Sequence, residues 1–197
     1  LHDEFIENTI SNFYLPFAVA PNFLINGKYY TIPMAIEESS VIAAASKSAK
    51  FWAKLGGFKT TILGVEKVGQ IHFFYNGPFK KIKSFFKEIS NDIIKDLKPI
   101  TSNMEKRGGG ITSMKLIDMN KKIRCYYQIF VKFNTIDSMG ANFINSCLEK
   151  ITETFKFYVE EKNFLDSVSE KIDFVMSILS NYTPNCIVKA SVNCKVK

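Results

Sequence analysis

Hydrophobic spacing divides the chain into stretches of different period. Phe23-Leu24-Ile25 and Tyr29-Tyr30-Thr31-Ile32 are strand-like runs on either side of Asn26-Gly27-Lys28, and Asn-Gly supplies the positive φ angles that a tight hairpin turn requires. After Pro33 the pattern turns helical, with Val41, Ala44, Ala45, Ser48, Phe51, Trp52 and Leu55 at helical spacing and Gly56-Gly57 as the stop. Ile62 to Asn76 is strand-like. Pro78 to Leu97 is amphipathic, its face carrying Ile82, Phe85, Phe86, Ile89 and Ile93, and Pro99 is expected to end it. Gly108-Gly109-Gly110 leads into a strand from Ile111 to Met119. Asn120-Lys121 then allows a turn into another, with Ile123, Cys125, Tyr127, Ile129, Val131 and Phe133 on one face. Gly140 to Glu160 reads as a helix, Ile172, Phe174, Met176 and Ile178 alternate as a strand, and the closing run CIVKASVNCKVK alternates again. From Ile62 onward the order is β-α-β-β-α-β, which predicts a ferredoxin-like split βαβ unit in an α+β protein.

Composition narrows the class. With 197 residues and 46% hydrophobic content, the chain has enough apolar material for one large domain or two small ones. No apolar run approaches the roughly 20 residues needed to cross a bilayer, and the start lacks a signal peptide's basic-then-apolar layout, so a cytoplasmic protein without membrane attachment is expected. Cys125, Cys147, Cys186 and Cys194 lack paired metal-ligand spacing and fit reduced, mostly packed thiols, with no metal site implied. The net charge of +7 suits an anionic partner without choosing among nucleic acid, membrane surface and phosphate-rich cofactor. The chain starts at Leu1 rather than a methionine and closes on a strand-like run, which reads as a piece of something longer.

Two clusters carry candidate chemistry. Glu37 and Glu38 fall at or just before the first turn of the Ala-rich helix, where carboxylates commonly complement the helix dipole. An adjacent pair can instead hold one proton between them and act as a general acid near neutral pH; spacing alone leaves both readings open. Asp137-Ser138-Met139-Gly140-Ala141-Asn142 lies where a strand ends and a helix begins. It reads either as an Asp cap with a small-residue turn or as a pyrophosphate site built from helix N–H groups. Gly108 to Gly110 reads first as a strand entrance and second as a phosphate nest. No GxGxxG run is present, which excludes an ordinary Rossmann fingerprint.

The order of several separated motifs resembles hydroxymethylglutaryl-coenzyme A reductase of the bacterial, class II kind. They are Glu7-Asn8-Thr9-Ile10, LPFAVAPNFLINGK from Leu15, Pro33 to Val41 followed by AAAS, DSMGAN from Asp137, and Ile178-Leu179-Ser180-Asn181. The likeness covers nearly the whole chain and is densest before Gly57. It implies a small dinucleotide-binding domain, about residues 65–180, inserted into an incomplete larger mainly helical domain for substrate and dimerisation, residues 1–64 and 181–197. The implied activity is the NAD(P)H-dependent, two-step reduction of 3-hydroxy-3-methylglutaryl-CoA to mevalonate and CoA, in a homodimer with a shared active site. By position, Glu38 matches the family's catalytic glutamate and Ser40 a serine that contacts substrate, with Ser39 where the family usually has Pro. Asp137, Met139, Gly140 and Asn142 match the cofactor-binding motif, with Ser138 where Ala is usual. The family's catalytic lysine, aspartate and histidine are expected after Lys197, since His2 and His72 do not match the histidine motif. Forms preferring NADH tend to carry an acid where Thr101 stands, so NADPH is expected to serve at least as well as NADH.

Two other classes compete. A basic module could hold RNA on an open split-βαβ sheet, but CYYQIFVKF has the aromatics of such a sheet without the glycine context of the RNP signature, and nucleic acid is not the expected partner. A purely structural subunit would use the acids as dipole partners and the glycines as turns.

Overall fold

The computed structural model describes residues 7–195, so His2 and the last two positions of the closing run lie outside the described residues. The elements are β1 (Phe17–Ile25), β2 (Lys28–Ala35), α1 (Val41–Ala53), β3 (Lys59–Tyr75), α2 (Phe79–Asp96), α3 (Lys98–Lys106), β4 (Gly110–Asp118), β5 (Tyr126–Asn134), α4 (Ala141–Glu161), β6 (Ile172–Leu179) and β7 (Cys186–Ser191). The chain is a mixed α+β protein that divides into two compact units, Leu1–Ile62 with Val188–Lys197, and Leu63–Ile187.

In the first unit β1 and β2 form an antiparallel hairpin whose tip, Asn26 (φ 49°) and Gly27 (φ 84°), has the two positive φ angles of the tight turn. The tip is tied down. Asn26 Nδ2 donates to Thr60 Oγ1 at 2.7 Å, Thr60 N donates to Asn26 Oδ1 at 2.9 Å, and Phe58 N donates to Leu24 O at 2.8 Å. Gly57 (φ 73°) makes this approach possible, because a Cβ there would lie 2.3 Å from Leu24 O. β2 runs through Pro33, paired with Val19, to Ala35, so the strand continues past the point where the pattern predicts helix. A two-stranded sheet leaves each strand an open edge, where a residue without an N–H is tolerated.

The second unit carries a sheet in the order β4-β5-β3-β6, with β7 also pairing β3. The β4–β5, β5–β3 and β3–β6 pairings are antiparallel. One face is covered by α2 and α4: Ile71, Phe73 and Tyr75 of β3 and Ile129, Val131 and Phe133 of β5 join Ile82 and Ile89 of α2 and Ile144, Leu148 and Phe155 of α4 in one core. Gly69 sets how closely α4 lies on β3, since a Cβ there would meet Leu148 Cδ1 at 2.7 Å and Ile144 Cγ2 at 3.1 Å.

Several further expectations change. Pro99 does not stop a helix; α2 ends at Asp96 and Pro99 stands in the first turn of α3, where its missing N–H leaves no intrahelical bond unmade. Ile123 and Cys125 are not part of the β5 face: Met119 to Cys125 is a turn in which Cys125 has φ 61° and Ile123 is exposed. The alternation of β6 also fails. The register slips between His72 and Phe73 so that Val175 has no partner, and the bulge leaves Phe174 against Phe73 (ring centroids 5.2 Å) while Met176 and Ile178 are exposed. Of the four free cysteines only Cys147 is fully buried, and Cys186 and Cys194 are exposed rather than packed. Among the described residues no helix is long and apolar enough to cross a membrane.

Candidate functional site

In the first unit Ile36 to Ser40 leaves the β2 strand and turns into α1. Glu37 and Glu38 are exposed in this bend, and no acid stands in the first turn of α1, so both carboxylates precede the helix rather than belonging to it. Ser40 occupies the N-cap position, yet it has φ 72°, in the left-handed region, and makes no side-chain cap hydrogen bond. A serine at that position ordinarily caps, and positive φ is costly for a residue other than glycine or asparagine. The Ser40 hydroxyl is therefore exposed and not used by the helix it precedes. Glu38 and Ser40 are both exposed in the turn that precedes α1.

In the second unit the Asp137–Asn142 motif spans the end of the loop between β5 and α4 and the first two residues of α4. Gly140 is the N-cap residue at φ 74°, with no side-chain cap and no acid in the first turn of α4. A Cβ on Gly140 would lie 2.5 Å from Thr135 Cγ2, so the glycine is required both by backbone conformation and by packing. Thr135 is fully buried and laces the loop: its Oγ1 donates to Ser138 O at 2.8 Å, and Ser138 Oγ donates back to Thr135 O at 2.8 Å. The second bond gives the Ser138 hydroxyl a backbone partner within the loop. Asp137, Met139 and Asn142 are exposed on the same turn, Met139 at 73%. Lys67 of β3 reaches across, its Nζ donating to Ser138 O at 2.5 Å and to Met139 O at 2.7 Å.

Thr101 is not an open surface hydroxyl. It is buried on α3, and its Oγ1 donates to Glu105 Oε1 at 2.8 Å, while Lys98 Nζ pairs with Glu105 Oε2 at 2.7 Å. The Lys98 bond first and the Thr101 bond second hold the Glu105 carboxyl below its ordinary range. A carboxylate is thus present one helical turn beyond the position where the sequence lacks one. Lys98, Lys106 and Arg107 surround it in the chain.

His72 lies on the sheet face away from α2 and α4. Its Nδ1 is hydrogen-bonded to the Tyr126 hydroxyl, and Gln128 Nε2 donates to Nδ1 at 3.2 Å. Burial lowers its pKa, which favours the neutral ring. This is a packed histidine in a polar cluster on the sheet. Sequence reasoning passed over Lys67, Thr135 and Glu105. A signal existed for Lys67: counting back from Ile71 by twos places a lysine on the strand face that is otherwise apolar.

With this geometry in place, the known proteins that resemble the chain can be compared with it. The family described as hydroxymethylglutaryl-coenzyme A reductase matches residues 1–197, and the chain belongs to that family. It is 36% identical over 173 residues to the 3-hydroxy-3-methylglutaryl-coenzyme A reductase of Archaeoglobus fulgidus, covering 85% of this chain and 38% of that protein. It is 33% identical over 150 residues to the probable reductase of Borreliella burgdorferi, covering 75% of this chain and 33% of that one. In three dimensions it is similar to the class II reductase of Streptococcus pneumoniae bound to NADPH in open conformations, with a TM-score of 0.77, 27% identity, and coverage of 97% of this chain and 48% of that one. The chain thus spans between a third and a half of the length of these relatives. Family membership favours the reductase reading over the basic nucleic-acid module and over the structural subunit.

Proposed function

We propose that the chain carries the dinucleotide-binding unit and the catalytic glutamate of an NAD(P)H-dependent hydroxymethylglutaryl-CoA reductase. One observation carries the reading: the Asp137–Asn142 motif folds as an open helix entrance, with Gly140 left-handed, no capping side chain and no acid in the first turn of α4. Such an entrance suits a pyrophosphate, because unpaired N–H groups and the positive end of the helix dipole both favour an anion. Met139 and Asn142 are exposed there, and the Lys67 ammonium adds charge whose acceptors are neutral carbonyls. The residues present therefore fit a nicotinamide dinucleotide, with Asp137, Met139, Gly140 and Asn142 as its contacts; NADPH, which the pneumococcal relative binds, is the favoured form and NADH the other.

When bound, the cofactor supplies hydride. Two successive hydride transfers convert the thioester of 3-hydroxy-3-methylglutaryl-CoA to the primary alcohol of mevalonate and release CoA as the thiol, consuming two cofactor molecules and two protons. In this reading Glu38 holds a proton at the substrate oxygen, and Ser40, whose hydroxyl is not used in capping, contacts the substrate. Residues 65–180 form a ferredoxin-like split βαβ domain; the strand order and antiparallel pairings of β3, β4, β5 and β6 support this, with α3 as an addition between α2 and β4. Residues 1–64 and 181–197 belong to the larger domain. The protein acts as a cytoplasmic homodimer in the mevalonate route to isoprenoids, its active site shared between copies. Exposed Phe13, Tyr14 and Phe17 of the first unit support a surface that is covered in the assembly.

The test, made on the full-length protein that carries the expected downstream lysine, aspartate and histidine because this stretch alone is expected to be inactive, is oxidation of NADPH that depends on hydroxymethylglutaryl-CoA. Glu38→Gln is expected to lower turnover by two orders of magnitude or more, with NADPH retained and the melting temperature unchanged. Near-normal turnover in that variant would reduce Glu38 to a surface charge beside a helix.

A further inference from the structure

Along the helix-covered face of β3, the side chains in order are Lys67, Gly69, Ile71, Phe73 and Tyr75, and the last three are fully buried. Lys67 is paired with Phe133, itself fully buried, so this lysine points to the same side as the core. Two residues along a strand advance about 6.6 Å, and the four residues from Ile144 back to Gly140 retreat about 6 Å along α4. Since Gly69 lies under Ile144, the strand carries Lys67 to the place where α4 begins. There its ammonium donates to the carbonyls of Ser138 and Met139. A lysine at the end of an apolar row would ordinarily turn to water or find a carboxylate; this one is spent on two neutral backbone acceptors within a single loop.

We propose that Lys67 is a positioning residue for the dinucleotide. Its two charge-assisted bonds hold the Ser138–Met139 backbone, and with it Gly140 and the first turn of α4, in the form that receives the pyrophosphate. The Thr135–Ser138 lacing fixes one side of the loop from β5, and Lys67 fixes the other from β3. Because neither acceptor is an anion, the ammonium's charge is not cancelled by its own hydrogen-bond partners, and a positive charge at the helix entrance favours phosphate. This inference rests on the cofactor reading of the Asp137–Asn142 loop and adds a residue from a strand that the motif does not include.

The experiment compares the protein with Lys67→Met, which keeps the apolar stem, and Lys67→Arg, which keeps the charge and donors. In the full-length protein, NADPH binding is followed by its fluorescence, KM for hydroxymethylglutaryl-CoA by turnover, and loop order by hydrogen exchange of residues 136–143. Lys67→Met is expected to weaken NADPH binding about tenfold and to speed exchange in the loop, with KM for the acyl-CoA within twofold and Lys67→Arg close to the parent. Unchanged NADPH binding in Lys67→Met overturns the proposal. So does a loss that Lys67→Arg shares equally and that extends to the acyl-CoA, since this marks a general structural role. A parent protein that retains no NADPH refutes the cofactor reading itself, a result distinct from a parent and Lys67→Met that bind NADPH alike.

Discussion

Gly140→Ala tests how strictly the loop before α4 is determined. At φ 74° an alanine pays the left-handed penalty, about 1–2 kcal/mol. Its Cβ would also lie 2.5 Å from Thr135 Cγ2 and 2.8 Å from Thr135 Cβ, against a residue that is fully buried and cannot swing aside. Overpacking of this kind typically costs about 1–3 kcal/mol. If the loop keeps its form, the sum is about 2–5 kcal/mol, and at roughly 4 °C per kcal/mol for a unit of this size the melting temperature falls by about 8–20 °C. The chain has a cheaper escape, which is to lift the loop away from Thr135 and give up the Thr135 and Lys67 bonds to Ser138 O and Met139 O. In that case the thermal loss is smaller and the damage appears as lost NADPH affinity. Thermal denaturation and NADPH titration together distinguish the two responses. Thr135→Ser removes the nearest clashing methyl and keeps the hydroxyl that bonds Ser138 O, so Gly140→Ala/Thr135→Ser is expected to recover part of whichever loss occurs. Gly140→Ala with both melting temperature and NADPH binding unchanged would refute the assignment of strain to this glycine.

Glu105→Gln removes the carboxylate that Thr101 and Lys98 hold, leaving the cations around it unopposed; the ratio of kcat/KM for NADPH over NADH is expected to rise a few-fold, more at low salt than at high salt. An unchanged ratio would place the adenosine ribose elsewhere. The lowered pKa of His72 means that the folded protein binds fewer protons than the unfolded chain between the unfolded value, about 6.5, and the lower folded value. The stabilising contribution is therefore complete above that range and lost as pH falls through it, so the melting temperature of the protein should drop between pH 7 and 5 more steeply than that of His72→Gln, and parallel curves would contradict the assignment.

Much of this architecture is written in periodicity. The α2 stripe from Ile82 to Ile93 and the β5 row from Tyr127 to Phe133 are buried as their spacing predicts, because each packs one face against a single neighbouring layer. The misses share a cause: at Pro33, Pro99 and Val175 the outcome depended on a partner that local pattern does not contain. Pro33 is compatible with a strand only because β2 has an open edge, Pro99 opens a helix only because α2 has already ended, and the β6 row changes face at a bulge created by its register with β3. The candidate motifs were found as residues, while their physical meaning came from conformation. Ser40 occupies the N-cap position of α1 yet its side chain makes no cap hydrogen bond, and Thr101 reads as a missing acid while its hydroxyl holds one.

Lys67 shows why the Asp137–Asn142 loop was only half legible. The DSMGAN motif is contiguous and stands out, but of the two groups that hold it Thr135 directly follows β5 and Lys67 lies in the middle of β3, some seventy residues away in sequence. What connects them is the antiparallel register in which Lys67 faces Phe133, a feature that exists only after β3 and β5 have paired. The apolar row on β3 then acts as a ruler for α4. Gly69 admits the helix and Ile71 onward support it, and half-buried Lys67, two residues before Gly69 on the same face, bonds the loop backbone where α4 begins. On this view a charged residue at the end of a buried strand row marks where the overlying helix begins, and the loop's conformation is decided there together with Gly140 and Ser138 of the motif.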